Sequence, residues 1–482
     1  MSRFDLRAAF GTGDETRLTA LLAASVLGVY LLVVVGATAA LAEAARACPT
    51  WPGCAGADLS DPSVLVALGH RVGATLVGLV VLATAVATVR SDADRRVRAA
   101  VVAALVLYPA QVSVGALVAT TGTGVLVSNG HLLVGMTIFG ALVLALAWRL
   151  EAETGTDDTD AVRDPADLEH PGPVADDERA PDLGQPARSG LARARLVASA
   201  YVQLMKPRLM WLLCLVASAG MALAATTTAG GLSVPIVAAT LGGGVLAIGA
   251  SGTFNHALER DIDKRMERTA DRPVATHEVP VRNAFAFGGL LTVAALGVFL
   301  TVNLLAAALG LAAVVFYSVI YTLVLKPNTV QNTVIGGAAG ALPALIGWAA
   351  VTGDVGLPGL ALAGVIFLWT PAHFYNLALA YRDDYERGGF PMLPIVRGET
   401  VTRKHILLYL AATLLAATVL AELTPLGWLY AATTVALGAV FLVAVVQLHY
   451  ERSESAAFRA FHASNAYLGA LLLAIVLDAL VV

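Results

Sequence analysis

Charge is scarce in this chain. Asp, Glu, Lys and Arg make up 14% of its 482 residues, against roughly 25% in soluble domains. A formal net charge of −4 says little by itself, and no nucleic-acid partner is expected. Lysine is rarer still. Lys206, Lys264, Lys326 and Lys404 are the only four, and Arg supplies the other 27 of 31 basic residues. Three cysteines are too few for a disulfide scaffold. Cys214 lies inside an apolar run, whereas Cys48 and Cys54 bracket the short segment CPTWPGC.

Apolar sequence fills the space that charge leaves. Hydrophobic residues reach 57% and the mean hydropathy is +0.74. Runs of the roughly 20 residues needed to cross a bilayer recur thirteen times. They lie near 20–42, 63–89, 99–120, 126–148, 209–227, 234–254, 284–303, 305–324, 333–351, 357–380, 405–421, 427–447 and 463–481. The first run exceeds the about 7–15 apolar residues of a signal sequence and is read as a retained helix. The expectation is an all-α, polytopic membrane protein: a four-helix bundle over 1–150, then a nine-helix domain over 196–482. Between them, 151–195 is acidic and lacks apolar periodicity, so a disordered linker is expected there.

Basic residues orient the spans. Arg3, Arg7 and Arg17 precede the first, Arg90, Arg95, Arg96 and Arg98 follow the second, and Arg149, Arg193, Arg195, Lys206 and Arg208 surround the linker. These segments are assigned to the cytoplasm, together with 255–283, the turn at Lys326 and 381–404. Loops at 228–233, 352–356 and 422–426 carry no Lys or Arg and are assigned outside. The expectation is a multi-pass cell-membrane protein with a cytoplasmic N-terminus and an external Cys48–Cys54 segment.

Two charged blocks then share the cytoplasmic face. The first reads NHALERDIDKRMERTADRP (255–273), with Asn255, Glu259 and Asp263 at i, i+4 and i+8 on one side of a helix end. The second, YRDDYERGGFPMLP, offers Asp383, Asp384 and Glu386. Magnesium prefers carboxylate oxygens together with substrate phosphates, so facing clusters of this kind suit Mg²⁺ and a diphosphate. Lys206, Arg208, Arg268, Arg272 and Lys326 are basic groups for the remaining phosphate oxygens. Solvated loops whose charges pair with each other are the alternative for either block alone.

Two histidines stand out among the first four spans. His70 in ALGHRVG and His131 in SNGHLLVG fall at matched depth in the outer halves of spans two and four. Two neutral imidazoles on facing helices suit one haem iron; hydrogen-bonded structural histidines are the alternative. Cys48 and Cys54 either form a disulfide, as an external loop permits, or remain reactive or metal-binding thiols.

A resemblance sharpens these readings. LMKPRLMWLL (204–213), the 255–273 block, YSVIYTLVLKPNTVQNTVIGGAAGALPALIGW (317–348) and WTPAHFYNLALAYRDDYERGGFPMLPI (369–395) occur in colinear order over roughly 195–482. They resemble the UbiA-type intramembrane prenyltransferases and, through PAHF and GGFPMLP, the protoheme IX farnesyltransferase (haem O synthase) branch. The resemblance implies that Asn255, Glu259 and Asp263 form the first Mg²⁺–diphosphate motif, and Asp384 with Asp383 the second. It implies that Lys206, Arg208, Arg268, Arg272 and Lys326 grip diphosphate and that His373 approaches haem. The implied substrates are farnesyl diphosphate and haem B, and the implied product is haem O. Another UbiA-type acceptor, quinone or lipid, and a non-catalytic haem carrier are the alternatives. Phe254, Tyr317, Tyr321, Trp348, Trp369, Phe374 and Tyr375 are candidates to shield an allylic cation. His256 and Glu259 stand where many members of the superfamily have Asp.

The segments CPTWPGC, GHR, QVSVGALVATTG and GHLLVG resemble one half of haem A synthase. That implies a cysteine-pair loop at Cys48–Cys54, histidine ligands His70 and His131, and a bound haem. The family's ExxHR pattern places Glu where this chain has Ala67, so haem docking or transfer, or a site completed by dimerisation, is expected here rather than oxidation; a degenerate structural remnant is the alternative. Haem A synthase or a terminal-oxidase assembly factor is the implied partner.

Overall fold

The computed structural model describes residues 14–37, 44, 48, 50–121, 125–155, 168, 190–228 and 231–481. In chain order the helices are α1 (Asp14–Ala37), α2 (Pro62–Arg90), α3 (Arg95–Thr121), α4 (Val125–Thr154), α5 (Gly190–Leu204), α6 (Pro207–Ala225), α7 (Val234–Leu258) and α8 (Arg260–Asp263). Then follow α9 (Val281–Leu300), α10 (Leu304–Val315), α11 (Asn332–Thr352), α12 (Leu357–Ala380), α13 (Arg382–Arg387), α14 (Leu393–Val396), α15 (Glu399–Leu423), α16 (Trp428–Glu451) and α17 (Glu454–Val481). Thirteen helices among the described residues are long and apolar enough to cross a membrane, which makes this a multi-pass membrane protein.

The span from α10 continues to Asn328 through a π-helical stretch, Phe316–Leu325. Apolar periodicity does not reveal that change of winding. Of the expected linker, 151–154 extend α4 and 190–195 open α5. Leu168 apart, its residues from 156 to 189 lie outside the described residues.

The chain divides into two compact units, 1–157 with 400–482, and 158–399. In the first, the last three spans group with the first four. Apolar residues of α1 at helical spacing, among them Leu18, Leu22, Val26, Val29 and Val33, are buried. The polar contacts are few and interhelical. Ser25 meets the Thr84 hydroxyl at 2.8 Å, and Tyr30 donates to the Leu414 carbonyl at 3.2 Å. Glu153 on α4 pairs with Arg149 and accepts from Thr19 of α1 at 3.0 Å and Tyr450 of α16 at 2.7 Å. Lys404 on α15 pairs with Glu151 of α4. Such opposite-charge partners offset part of the cost of burying charge at helix ends, although Arg149 Nε is left without a hydrogen-bond partner.

The second unit holds α5 to α14. Close helix approach there depends on glycine. A Cβ on Gly220 would overlap the carbonyl oxygen of Ala344, and one on Gly347 that of Ala217, so α6 and α11 cross backbone to backbone. Gly243 of α7 likewise receives the Phe299 ring, 2.8 Å from where its Cβ would stand.

Candidate functional site

The 255–273 block begins inside α7 and leaves the membrane helix at Glu259. Asn255, Glu259 and Asp263 are 2%, 4% and 2% exposed, so these are not solvated loop charges. Each meets a cation. The Lys206 ammonium contacts Asn255 Oδ1. Lys326 donates to Glu259 Oε1 at 2.6 Å. One Arg272 nitrogen donates to both oxygens of Asp263, at 2.8 and 2.7 Å, and lies 3.9 Å from Glu259 Oε2. Six groups from three segments, five of them charged, thus gather in one largely buried cluster.

The backbone explains how they converge. Lys206 adopts a left-handed conformation, φ 54°, immediately before Pro207 at the first turn of α6. This sharp turn separates α5 from α6 and leaves Lys206 facing α7. A Cβ on Gly252 would stand 3.2 Å from Lys206 Cγ. The π-helical stretch supplies Tyr317 and Thr322. Lys206 also reaches the Tyr317 hydroxyl, at 3.4 Å, and the Asn255 amide donates to Thr322 Oγ1 at 3.2 Å.

Electrostatics follow from burial and neighbours. Burial, reinforced by the Arg272 charge, pushes the Lys206 ammonium down to about 7. Burial works to raise the Glu259 carboxyl, but Lys326, Lys206 and Arg272 hold it below the usual range. For Asp263, burial outweighs the bond to Arg272 and leaves its carboxyl raised.

The second block meets the first through Asp384. Its Oδ1 accepts the backbone N–H of Glu267 at 2.8 Å and its Oδ2 that of Arg268 at 3.3 Å, while Arg387 donates to Oδ1 at 2.8 Å. Arg268 lies over the rings of Tyr381 and Tyr385, at 5.4 and 5.7 Å from their centroids. Asp384 therefore ties α13 to the loop carrying Arg268 and Arg272. Asp383 and Arg208 are exposed. His373 stacks on Trp369 along α12, with centroids 4.2 Å apart. His256 is 5% exposed, and its Nδ1 has no hydrogen-bond partner.

Among the described residues, no three His, Cys, Asp or Glu side chains gather as a ready metal centre. The first-motif donors are hard oxygens of the kind Mg²⁺ takes, but their counter-charges are protein cations. A divalent ion and an anionic ligand would have to arrive together and exchange with those pairs.

An apolar cavity adjoins the network. It lies among α6, α7, α10 and α11, and encloses about 750 Å³ including its open mouth. Lys206, Ser251, Gly252 and Tyr317 line its polar end.

The first unit carries the other predicted residues. Cys48 and Cys54 form a disulfide with Cα atoms 5.1 Å apart. Arg71, unremarked in the sequence beyond its place in GHR, gathers the loop they close. Its guanidinium donates to the carbonyls of Thr50, Pro52 and Gly53 at 2.7, 3.1 and 2.8 Å. Ala67 packs against Cys48, in the place a carboxylate was expected from the haem A synthase pattern. His70 Nδ1 and His131 Nδ1 are both buried without a partner, and Gln111 lies 3.4 Å from His131 Nε2.

Taken by geometry, the second unit offers buried carboxylates and cations at the lip of an apolar intramembrane cavity. That is the arrangement of an enzyme acting on an amphipathic anion. The chain matches the UbiA prenyltransferase family over residues 212–468. It is 67% identical over 467 residues to protoheme IX farnesyltransferase 1 of Natronomonas pharaonis, covering 97% of this chain and 99% of that relative. Protoheme IX farnesyltransferase of Haloarcula marismortui is 65% identical over 468 residues, 97% of this chain and 99% of its own. A solved UbiA homologue from Archaeoglobus fulgidus, bound to GPP and Mg²⁺, aligns over 57% of this chain and 99% of its own at 15% identity and a TM-score of 0.44, too low to assign any residue. The chain belongs to the UbiA prenyltransferase family. The match runs from α6 into α17, and so includes helices of both compact units.

Proposed function

We propose that this protein transfers a farnesyl group from farnesyl diphosphate to a vinyl group of haem B, with addition of water, giving haem O and diphosphate. The observation that carries the reading is the buried Lys206–Asn255, Lys326–Glu259 and Arg272–Asp263 network at the polar end of an apolar cavity. The names of the relatives supply the acceptor and the donor.

The chemistry follows from the parts. Arg268, Arg272, Lys206 and Lys326 bind the diphosphate oxygens, with Arg208 at the exposed rim. Asn255, Glu259 and Asp263 would hold Mg²⁺ with Asp383 from the second motif, and Asp384 fixes the loop between the motifs. When bound, Mg²⁺ neutralises charge that develops on the leaving diphosphate. The allylic C–O bond breaks and its electron pair leaves with diphosphate. The vinyl π electrons then form the new C–C bond, water adds to the cation left beside the macrocycle, and a proton is released. Tyr317 and Tyr321, whose rings lie 5.5 Å apart, offer π faces to an allylic cation. His373, stacked on Trp369, is the haem-facing candidate.

The membrane arrangement belongs to the same reading. The protein sits in the cell membrane with its N-terminus and acidic motifs on the cytoplasmic side. A nine-helix prenyltransferase over 196–482 follows the four N-terminal spans. His70 and His131 would hold a haem, a role supported by two buried imidazole nitrogens that lack partners. Ala67 lacks the carboxylate for oxidation, so this unit would dock or pass haem to haem A synthase or an oxidase assembly factor.

The test is purified full-length protein in lipid with haem B, farnesyl diphosphate and Mg²⁺. Haem O and diphosphate in equal amounts support the reading. A prenylated quinone or lipid in place of haem O contradicts it.

A further inference from the structure

The cavity beside the charged network has its polar end at Lys206 and runs along α7 away from it. On α7 it is lined by Thr240, Gly244, Ala247, Ile248 and Ser251, a single helix face. Ser251 lies at the Lys206 end. Thr240, eleven residues earlier, is therefore about 16 Å deeper at 1.5 Å per residue. Ala217 and Ile346 line the cavity where α6 and α11 cross. Gly220 and Gly347 bring those two backbones into contact, and we take this crossing, at the deep end of the lining, as the floor.

Midway down are three consecutive glycines. A Cβ on Gly243 would stand 2.8 Å from Phe299, so that position serves packing. Gly242 and Gly244 each have open space where a Cβ would stand. Of the three, Gly244 lines the cavity. It is seven residues from Ser251, about 10 Å below the mouth, with roughly a third of the depth still beneath it.

We propose that Gly244 sets the length of isoprenoid tail this protein accepts: its missing side chain is the passage by which the third isoprene unit of a farnesyl group reaches the floor. The proposal rests on the prenyl-transfer reading above. A larger residue at 244 shortens the usable cavity to its upper two-thirds, the room of a geranyl tail. The α7 backbone at 244 is helical with negative φ, so a side chain there meets no backbone strain.

The experiment compares geranyl and farnesyl diphosphate as donors to haem B, using full-length wild type and the variants G244A, G244L and G242L. Removing room for part of an apolar group changes discrimination by about tenfold or more. G244L is expected to lower the farnesyl-to-geranyl ratio of kcat/KM by about tenfold or more, and G244A to lower it less. G242L, the same enlargement outside the cavity, is expected to leave the ratio unchanged. An unchanged ratio in both Gly244 variants, or an equal shift in G242L, overturns the proposal. If G244L does not fold, G244A against wild type decides. If wild type prenylates haem with neither donor, the functional reading fails separately. Displacement of farnesyl diphosphate by geranyl diphosphate at equilibrium then judges Gly244 by the same ratio.

Discussion

Lys326 and Glu259 stand 67 residues apart in sequence and 2.6 Å apart in space. Their bond joins the end of the π-helical stretch to the end of α7. Both side chains are largely buried, at 13% and 5% exposure. Breaking a buried pair from one side strands a charge and costs about 3–5 kcal/mol. Lys326→Met should therefore lower the thermal midpoint of the ligand-free protein, and adding Glu259→Gln should restore much of the loss. Equal destabilisation by the single and the double variant would contradict a charge-stranding account.

Asp384 makes a different kind of contact. Its oxygens accept two backbone N–H groups, and charge-assisted bonds of that sort are worth about 1.5–3 kcal/mol each. Asp384→Ala should accelerate amide hydrogen exchange at Glu267 and Arg268 by at least about tenfold, and raise the KM for the diphosphate substrate through the loosened Arg268–Arg272 loop. Unchanged protection of those two amides would remove Asp384 from its positioning role.

Lys206 makes the free site sensitive to pH. Burial and Arg272 bring it down to about 7, so the free protein loses this proton as pH rises through 7. A bound diphosphate favours the ammonium. Inorganic diphosphate should consequently bind with proton uptake above pH 7 and with little uptake at pH 6. Calorimetry in buffers of different ionisation enthalpy measures this directly. Lys206→Met should abolish the pH-dependent uptake; its persistence would assign the proton elsewhere.

In the first unit, His70→Ala/His131→Ala in the full-length chain should remove low-spin haem absorbance from protein purified with haem. The two imidazoles have no partners at Nδ1, so neither has a structural bond there that the change would break. An unaltered spectrum would eliminate them as ligands.

What could be read beforehand follows the physics of each feature. Thirteen spans were legible because bilayer crossing demands uninterrupted apolar length. Asn255, Glu259 and Asp263 were legible because helical spacing puts them on one side. The role of Asp384 was not, since bonds to the backbone of Glu267 and Arg268 leave no residue-type signature at the accepting end. Thr322, and the contact of Tyr317 with Lys206, were hidden by the π-helical stretch, which rotates side chains away from their α-helical positions. Arg71 reads as a charge in GHR; that it collects loop carbonyls depends on a chain reversal no local pattern states. The grouping of α15 to α17 with α1 to α4 rests on long-range pairs such as Tyr30 with Leu414.

The central claim is that the first motif performs prenyl transfer to haem, and Asp263 tests it most directly. It is 2% exposed and held by Arg272 through both oxygens. Asn at this position keeps size and shape but removes the charge. With haem B, farnesyl diphosphate and Mg²⁺, mass analysis of extracted haems should show haem O from wild type and none above background from Asp263→Asn at comparable folded yield. Undiminished haem O formation by the variant would contradict the account.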